Sequence, residues 1–213
     1  MKIGILGSGD VAQKLCAGLA RKGHAVMLGT SQPGKLAAWH AQHAGTAVGS
    51  MAEAAAFGEL AILAVKGSAA IAALAPLAGA LAGKVVIDTT NPIADQPPVD
   101  GVFVYFTAAN DSLLEMLQRE YPALRLVKAW NSVGAAHMVD PAFAGGAPTM
   151  FIAGNDAAAR ADVAALVRQA GWEPADMGRA AAARAIEPLC QLWCLPGLLH
   201  NDWSHAFKVL KPA

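Results

Sequence analysis

Residues 2–12 read KIGILGSGDVA. An apolar run ends at Leu6, and Gly7, Gly9 and Ala12 follow in the spacing GxGxxA. From Asp10 the stretch DVAQKLCAGLARKG carries Val11, Leu15 and Leu19 four residues apart, with Gly23 at its end. A strand, a glycine turn and a helix in immediate succession open a βαβ unit. In such a unit Gly7 permits the tight turn, Gly9 leaves no Cβ between the backbone and a pyrophosphate, and Ala12 lets the helix pack closely on the strand. The helix N-terminus then offers free N–H groups and a partial positive charge to a diphosphate, so Gly7, Ser8, Gly9, Asp10 and Val11 form the predicted phosphate loop.

The rest of the chain repeats the alternation. KIGIL (2–6), AVML (25–28), LAILAV (60–65), KVVID (84–88), LRLVKAW (124–130) and TMFIAG (149–154) read as strands. Between them KLAAWHAQHAG, DSLLEMLQREYP and DAAARADVAALVRQAG (156–171) read as helices, the second opening on an Asp/Ser cap and stopping before Pro122. The pattern predicts an α/β fold, a doubly wound, mostly parallel sheet covered by helices on both faces. Residues 1–180 are expected to form the nucleotide-binding domain. Residues 181–213 are expected to form a short helical extension, apolar and aromatic, broken at Pro188 and Pro196, that packs on the domain or on a second copy in a homodimer.

Composition narrows the function classes. The 213 residues are 55% hydrophobic, enough for a sizeable core, and 16 basic and 16 acidic side chains cancel. No global field exists to draw nucleic acid or an anionic bilayer, and neither partner is expected. The uncharged stretch 67–83 is short, Ala-rich and interrupted by Pro76, which predicts a buried segment rather than a membrane span. The apolar run before the glycine turn is too short for a secretory signal, so the expected location is the cytoplasm. Cys16, Cys190 and Cys194 make neither an even framework nor a CxxC; the last two, four apart, are expected to face a core from one helix.

The end of the second strand decides which dinucleotide fits. Roughly 20 residues after the first glycine, an NAD-binding protein usually carries an acid that accepts from the ribose hydroxyls. This chain has Thr30 there, and no carboxylate between Val26 and Lys35. The hydroxyls of Thr30 and Ser31 and the ammonium of Lys35 are available to a 2′-phosphate, and the reading leans to NADP(H). An ordinary polar turn that admits both cofactors is the alternative.

Two further stretches, DTTNPI (88–93) and LVKAWNSVGAAHMVDP (126–141), together with the glycine loop and the Gly29–Ser31 turn, resemble the NADPH-dependent coenzyme F420 reductase family, whose nucleotide-binding fold also serves as the cytosolic domain of the STEAP metalloreductases. The resemblance runs from residue 1 to about 205. It implies a compact Rossmann domain, NADP(H) over the first glycine loop, and a deazaflavin such as F420, or a flavin, as small-molecule redox acceptor against the nicotinamide. By that resemblance Thr30, Ser31 and Lys35 match the 2′-phosphate turn, Val65 and Lys66 a strand end beside the cofactor, and Asn91 and Pro92 another near the nicotinamide. Trp130, Asn131 and Ser132 match the segment facing the second ring. An oxidoreductase with such an acceptor is further expected to have an open apolar wall around Trp130 and Met150 opposite the nicotinamide. Ser31 stands where the family commonly has Arg, and Trp130 where Phe is usual.

Hydride transfer between stacked rings asks little of side chains beyond alignment, so no acid/base pair is required and no catalytic residue is assigned. Asn91 and Asn131 either bond a carboxamide or ring carbonyl or fasten their own loops. Lys66 and Lys128, at strand ends, are expected to be solvated rather than catalytic. His40 and His43 lack a third ligand, His137 has no acidic partner, and no metal is expected. Serine-hydrolase and P-loop patterns are absent. The rival readings are a non-catalytic NADP(H) sensor or partner subunit and, last, a β-hydroxyacid-type dehydrogenase, which needs a larger helical domain than the tail provides.

Overall fold

The computed structural model describes residues 1–212. In chain order it contains β1 (Lys2–Leu6), α1 (Asp10–Arg21), β2 (Ala25–Gly29), α2 (Ala37–Ala41), β3 (Thr46–Gly49), α3 (Met51–Phe57), β4 (Leu60–Leu63), α4 (Ala70–Leu74), α5 (Ala78–Leu81), β5 (Val85–Asp88), α6 (Leu113–Glu120), β6 (Arg125–Lys128), β7 (Thr149–Gly154), α7 (Ala157–Gln169), β8 (Glu173–Asp176), α8 (Ala183–Ile186) and α9 (Pro188–His200), with short 3-10 turns between some of them. The strands form one sheet in the order β3-β2-β1-β4-β5-β6-β7-β8. Every described pairing is parallel except β6 with β7. The fold is the doubly wound α/β sheet that the alternation predicts.

Strand periodicity divides the core in two. On β4, Leu60 and Ile62 face one side and Ala61 and Leu63 the other; on β5, Val85 and Ile87 separate from Val86 in the same way. The first side joins Leu15 and Leu19 of α1 with Val163 and Leu166 of α7. The second joins Ala54 of α3, Leu74 of α4 and Leu114 and Leu117 of α6. A sheet buried on both faces explains why its central strands read as continuous apolar runs.

Three expectations change. β3 and β8 are additional strands at the two edges; β8 carries Pro174, which an edge tolerates because one side of its backbone needs no ladder partner. Stretch 67–83 is not wholly buried: it folds into α4, α5 and 3-10 turns that bury Leu74, Leu77 and Leu81 and expose Ala75 and Ala80 between them. Nor is the tail broken at its prolines. Pro188 occupies the first position of α9, where its missing N–H costs nothing, and Pro196 lies inside that helix. Cys190 is buried and Cys194 partly buried on α9, and all three cysteines are free.

Candidate functional site

A cleft of about 780 Å³ opens where the loops after β1, β2, β4 and β5 converge. Chain connections leave β1 and β4 in opposite directions across the sheet, and the crevice between such neighbours is where open α/β sheets take their ligands. Gly7–Val11 line it after β1, Thr30 and Ser31 after β2, Ala64–Gly67 after β4 and Thr89–Asn91 after β5.

The two loop glycines do different things. Gly7 has φ +139°, and a Cβ there would stand 2.2 Å from the Ala64 carbonyl oxygen. It is required by the fold itself, since strain and clash would coincide. Gly9 has φ −73°, and a Cβ built on it meets nothing within 4 Å. The space above Gly9 is open to the cleft. No side chain caps α1, so its first N–H groups are not claimed by a capping side chain, and the Gln13 side chain donates to the Ser8 carbonyl at 2.8 Å to hold the loop.

Across the cleft mouth, the Thr30 N–H donates to Gly49 O at 3.0 Å, and Thr30 Oγ1 accepts from the Gln32 N–H at 3.2 Å. That leaves the Thr30 O–H to donate outward. Ser31 is exposed beside it. Lys35 stands apart from the cleft lining, exposed on the 3-10 turn Pro33–Leu36.

The far wall rests on buried charge. Thr89 donates to Leu63 O through both N–H and hydroxyl, at 3.2 and 2.9 Å. Thr90 donates its N–H and hydroxyl to Asp88 Oδ1, at 2.9 and 2.6 Å. Lys128 is not solvated, contrary to the expectation for a strand-end lysine: it is 0% exposed. Its ammonium donates to the Thr90 carbonyl at 2.8 Å and lies 2.5 Å from Asp88 Oδ2 and 2.8 Å from Glu187 Oε1. Burial is the largest influence on it and opposes its charge, but the two carboxylates outweigh burial and raise its pKa. Glu187 also accepts from the Leu113 and Leu114 N–H groups at 2.9 and 3.0 Å, while Ser112 Oγ accepts from that of Glu115, so the first turn of α6 is capped from two sides.

Lys66 lines the cleft, exposed and ion-paired with Asp95, whose carboxyl it holds below the ordinary range. Asn91 Nδ2 donates to the Asn131 carbonyl at 2.8 Å, and Asn131 Nδ2 donates to Asn91 Oδ1 at 3.1 Å and to Ile186 O at 3.0 Å. These amides fasten loops to each other; Asn91 also faces the cleft, whereas Asn131 and Ser132 are buried. Pro92 is buried behind Asn91, its carbonyl accepting from the Phe106 N–H at 2.9 Å.

Trp130 and Met150 are not an open wall. They are 0% and 1% exposed within the core on the α1 and α7 side. Trp130 adopts φ +57°, leaving strand geometry, and its N–H lies 3.1 Å from Met150 Sδ. Apolar surface beside the cleft comes instead from a groove of about 390 Å³ that shares Gly67 with it and is lined by Ile71, Phe106, Leu113 and Met116.

Several lining residues escape the sequence reading: Met51, Gly67, Ala73, Pro76, Thr89, Thr90 and Ile93. Met51 had a signal, because SMAE (50–53) is a capping box and both of its hydrogen bonds form. Gly67 is needed where two strand-end loops meet, since a Cβ there would fall 1.8 Å from the Asn91 carbonyl oxygen. His40 and His43 bond carbonyls of Thr46 and Trp39, and no group of three His, Cys, Asp or Glu able to hold a metal occurs among the described residues.

Strand order, glycine turn and cleft define a Rossmann-type dinucleotide-binding domain. Residues 2–92 match the family model described as NADP oxidoreductase, coenzyme F420-dependent. A crystal structure from Arthrobacter sp. FB24, which carries the provisional name of an F420-dependent NADP-reductase, is 35% identical with a TM-score of 0.91, covering 99% of this chain and 100% of that one. The chain therefore belongs to the coenzyme F420-dependent NADP oxidoreductase family. Metalloreductase STEAP3 of Rattus norvegicus is 33% identical over 203 residues, 93% of this chain; the chain spans only 39% of that longer relative. A 3-hydroxyisobutyrate dehydrogenase from Mycobacterium tuberculosis, at 18% identity and a TM-score of 0.65 over 87% of this chain and 57% of its own, shares the fold alone.

Proposed function

We propose that the protein is an NADP(H)-dependent oxidoreductase that passes a hydride between nicotinamide and a deazaflavin or flavin-like ring, F420 by family. The observation that carries this is the open α1 N-terminus above Gly9, at the crevice between β1 and β4, with hydroxyls and no carboxylate after β2. Bound there, the dinucleotide supplies the hydride carrier. The chain's own part is placement: α1 and the Gly9 backbone hold the diphosphate, Thr30 and Ser31 donate to the 2′-phosphate, and Thr89–Asn91 bound the nicotinamide end. The acceptor ring lies toward the apolar groove at Phe106 and Met116. No residue needs to move a proton for the transfer itself.

The test is oxidation of NADPH by the purified protein with F420 supplied, followed at the reduced nicotinamide band. Enzyme-dependent loss supports the reading; NADPH binding without turnover on F420 or on free flavin favours a sensor. The free cysteines suit the cytoplasm, and the exposed leucines of α9 suit a homodimer.

A further inference from the structure

Asp88 and Lys128 are cross-strand partners in register, at the ends of β5 and β6, on the face that carries Val86 and Leu126 one step earlier. The alternation calls for two more aliphatic side chains there. The chain instead buries an ion pair and brings a third charge, Glu187, from the tail; all three are at most 1% exposed. Apolar side chains of similar volume would serve stability as well or better, so stability alone does not account for the cluster. Its contacts point elsewhere. Thr90 is gripped at every polar atom it has, by Asp88 at N–H and hydroxyl and by Lys128 at the carbonyl. Thr90 sits in the middle of the Thr89–Asn91 wall. Along the sheet, β5 lies beyond β1 and β4 from β2, so this wall is at the opposite end of the cleft from Thr30.

We propose that Lys128 is a positioning residue: through the Thr90 carbonyl it sets the Thr89–Asn91 wall that receives the nicotinamide half of the dinucleotide, and Glu187 holds the ammonium in place from the tail. The proposal rests on the dinucleotide reading above. Lys128 touches no ligand itself, since its three N–H donors are spent on Asp88, Glu187 and Thr90.

The experiment compares two ligands on the full chain by calorimetry: NADPH, and 2′,5′-ADP, which has the adenosine half and no nicotinamide. Wild type, Lys128→Met and the double variant Asp88→Asn/Lys128→Met are used, each checked for folding by circular dichroism. The double variant also removes the donor to the Thr90 carbonyl, keeps an acceptor for Thr90 at position 88 without leaving the Asp88 charge unpaired, and serves where Lys128→Met alone does not fold. The expected result is 2′,5′-ADP affinity held within about twofold in either folded variant and NADPH affinity lowered by roughly tenfold, with the bound-NADPH fluorescence moving toward that of free NADPH. A folded variant that binds NADPH as wild type does, or that weakens both ligands equally, overturns the proposal. Failure of the underlying reading looks different, because wild type itself would then bind neither ligand.

Discussion

At the scale of single residues, Gly7 and Gly9 separate folding from binding. Gly9→Val meets no protein atom on the Cβ side and should leave the circular dichroism spectrum unchanged, yet remove binding of both NADPH and NADH by filling the diphosphate space. Gly7→Ala should instead destabilise the fold by more than about 3 kcal/mol, read from denaturant unfolding; a soluble Gly7→Ala protein of wild-type stability would contradict the turn geometry. Lys35 stands apart from the cleft lining, so Lys35→Ala should leave both NADPH and NADH affinity within about twofold of wild type. A selective loss of NADPH would return Lys35 to the 2′-phosphate site. The glycines and Thr30 were legible because each rests on local geometry: a turn, a strand end, a fixed separation. Lys128 was not legible, since its burial depends on Glu187, 59 residues away in the chain and invisible to any local pattern.

Among the elements, α7 offers a test by pH. Asp156 is its N-cap, accepting from the Ala159 N–H at 2.8 Å, and it pairs with Arg125 of β6. The Arg125 guanidinium, and then the backbone N–H, hold its carboxyl well below the usual range. A carboxylate whose pKa is lower folded than unfolded contributes stability that is present above the unfolded value, about 4, and declines as pH falls through the folded one. Asp156→Asn, which keeps a capping oxygen, should therefore lower Tm at pH 7 and by less at pH 3; an equal drop at both would show that the charge of Asp156 beside Arg125 is not the cause. In α9, Pro196→Ala should restore a helical N–H and raise stability by about 1 kcal/mol or more, a few degrees in Tm. Strand and helix periodicity exposed the elements with strong sides, β1, β4, β5, β7, α1 and α7. It missed β3 and β8, which are four residues long and only partly buried, so neighbours rather than composition make them strands. Prolines were over-read as breaks, because a helix tolerates one at its start and, held by packing, one within.

For the molecule as a whole, no helix among the described residues is long and apolar enough to cross a membrane. Part of its exposed apolar surface lies on α9, at Leu192, Leu198 and Leu199, and on the 92–107 segment, at Val99 and Val102, with Gly101 lying against Leu199 and Leu195. We expect two copies to meet there, with Leu198→Glu and Leu199→Glu together giving a monomer by sedimentation while wild type sediments as a dimer. The tail matters for assembly in time as well as in space. Glu187 caps α6 and neutralises Lys128, so a nascent chain that has emerged only as far as β7 holds a strand-end lysine with one carboxylate where the finished core has two, and a helix whose first two amides lack their acceptor. The second face of the sheet is thus completed after synthesis has passed residue 187, and ribosome-bound chains arrested before it should be cut readily by protease within α6, whereas chains arrested well beyond the tail should resist.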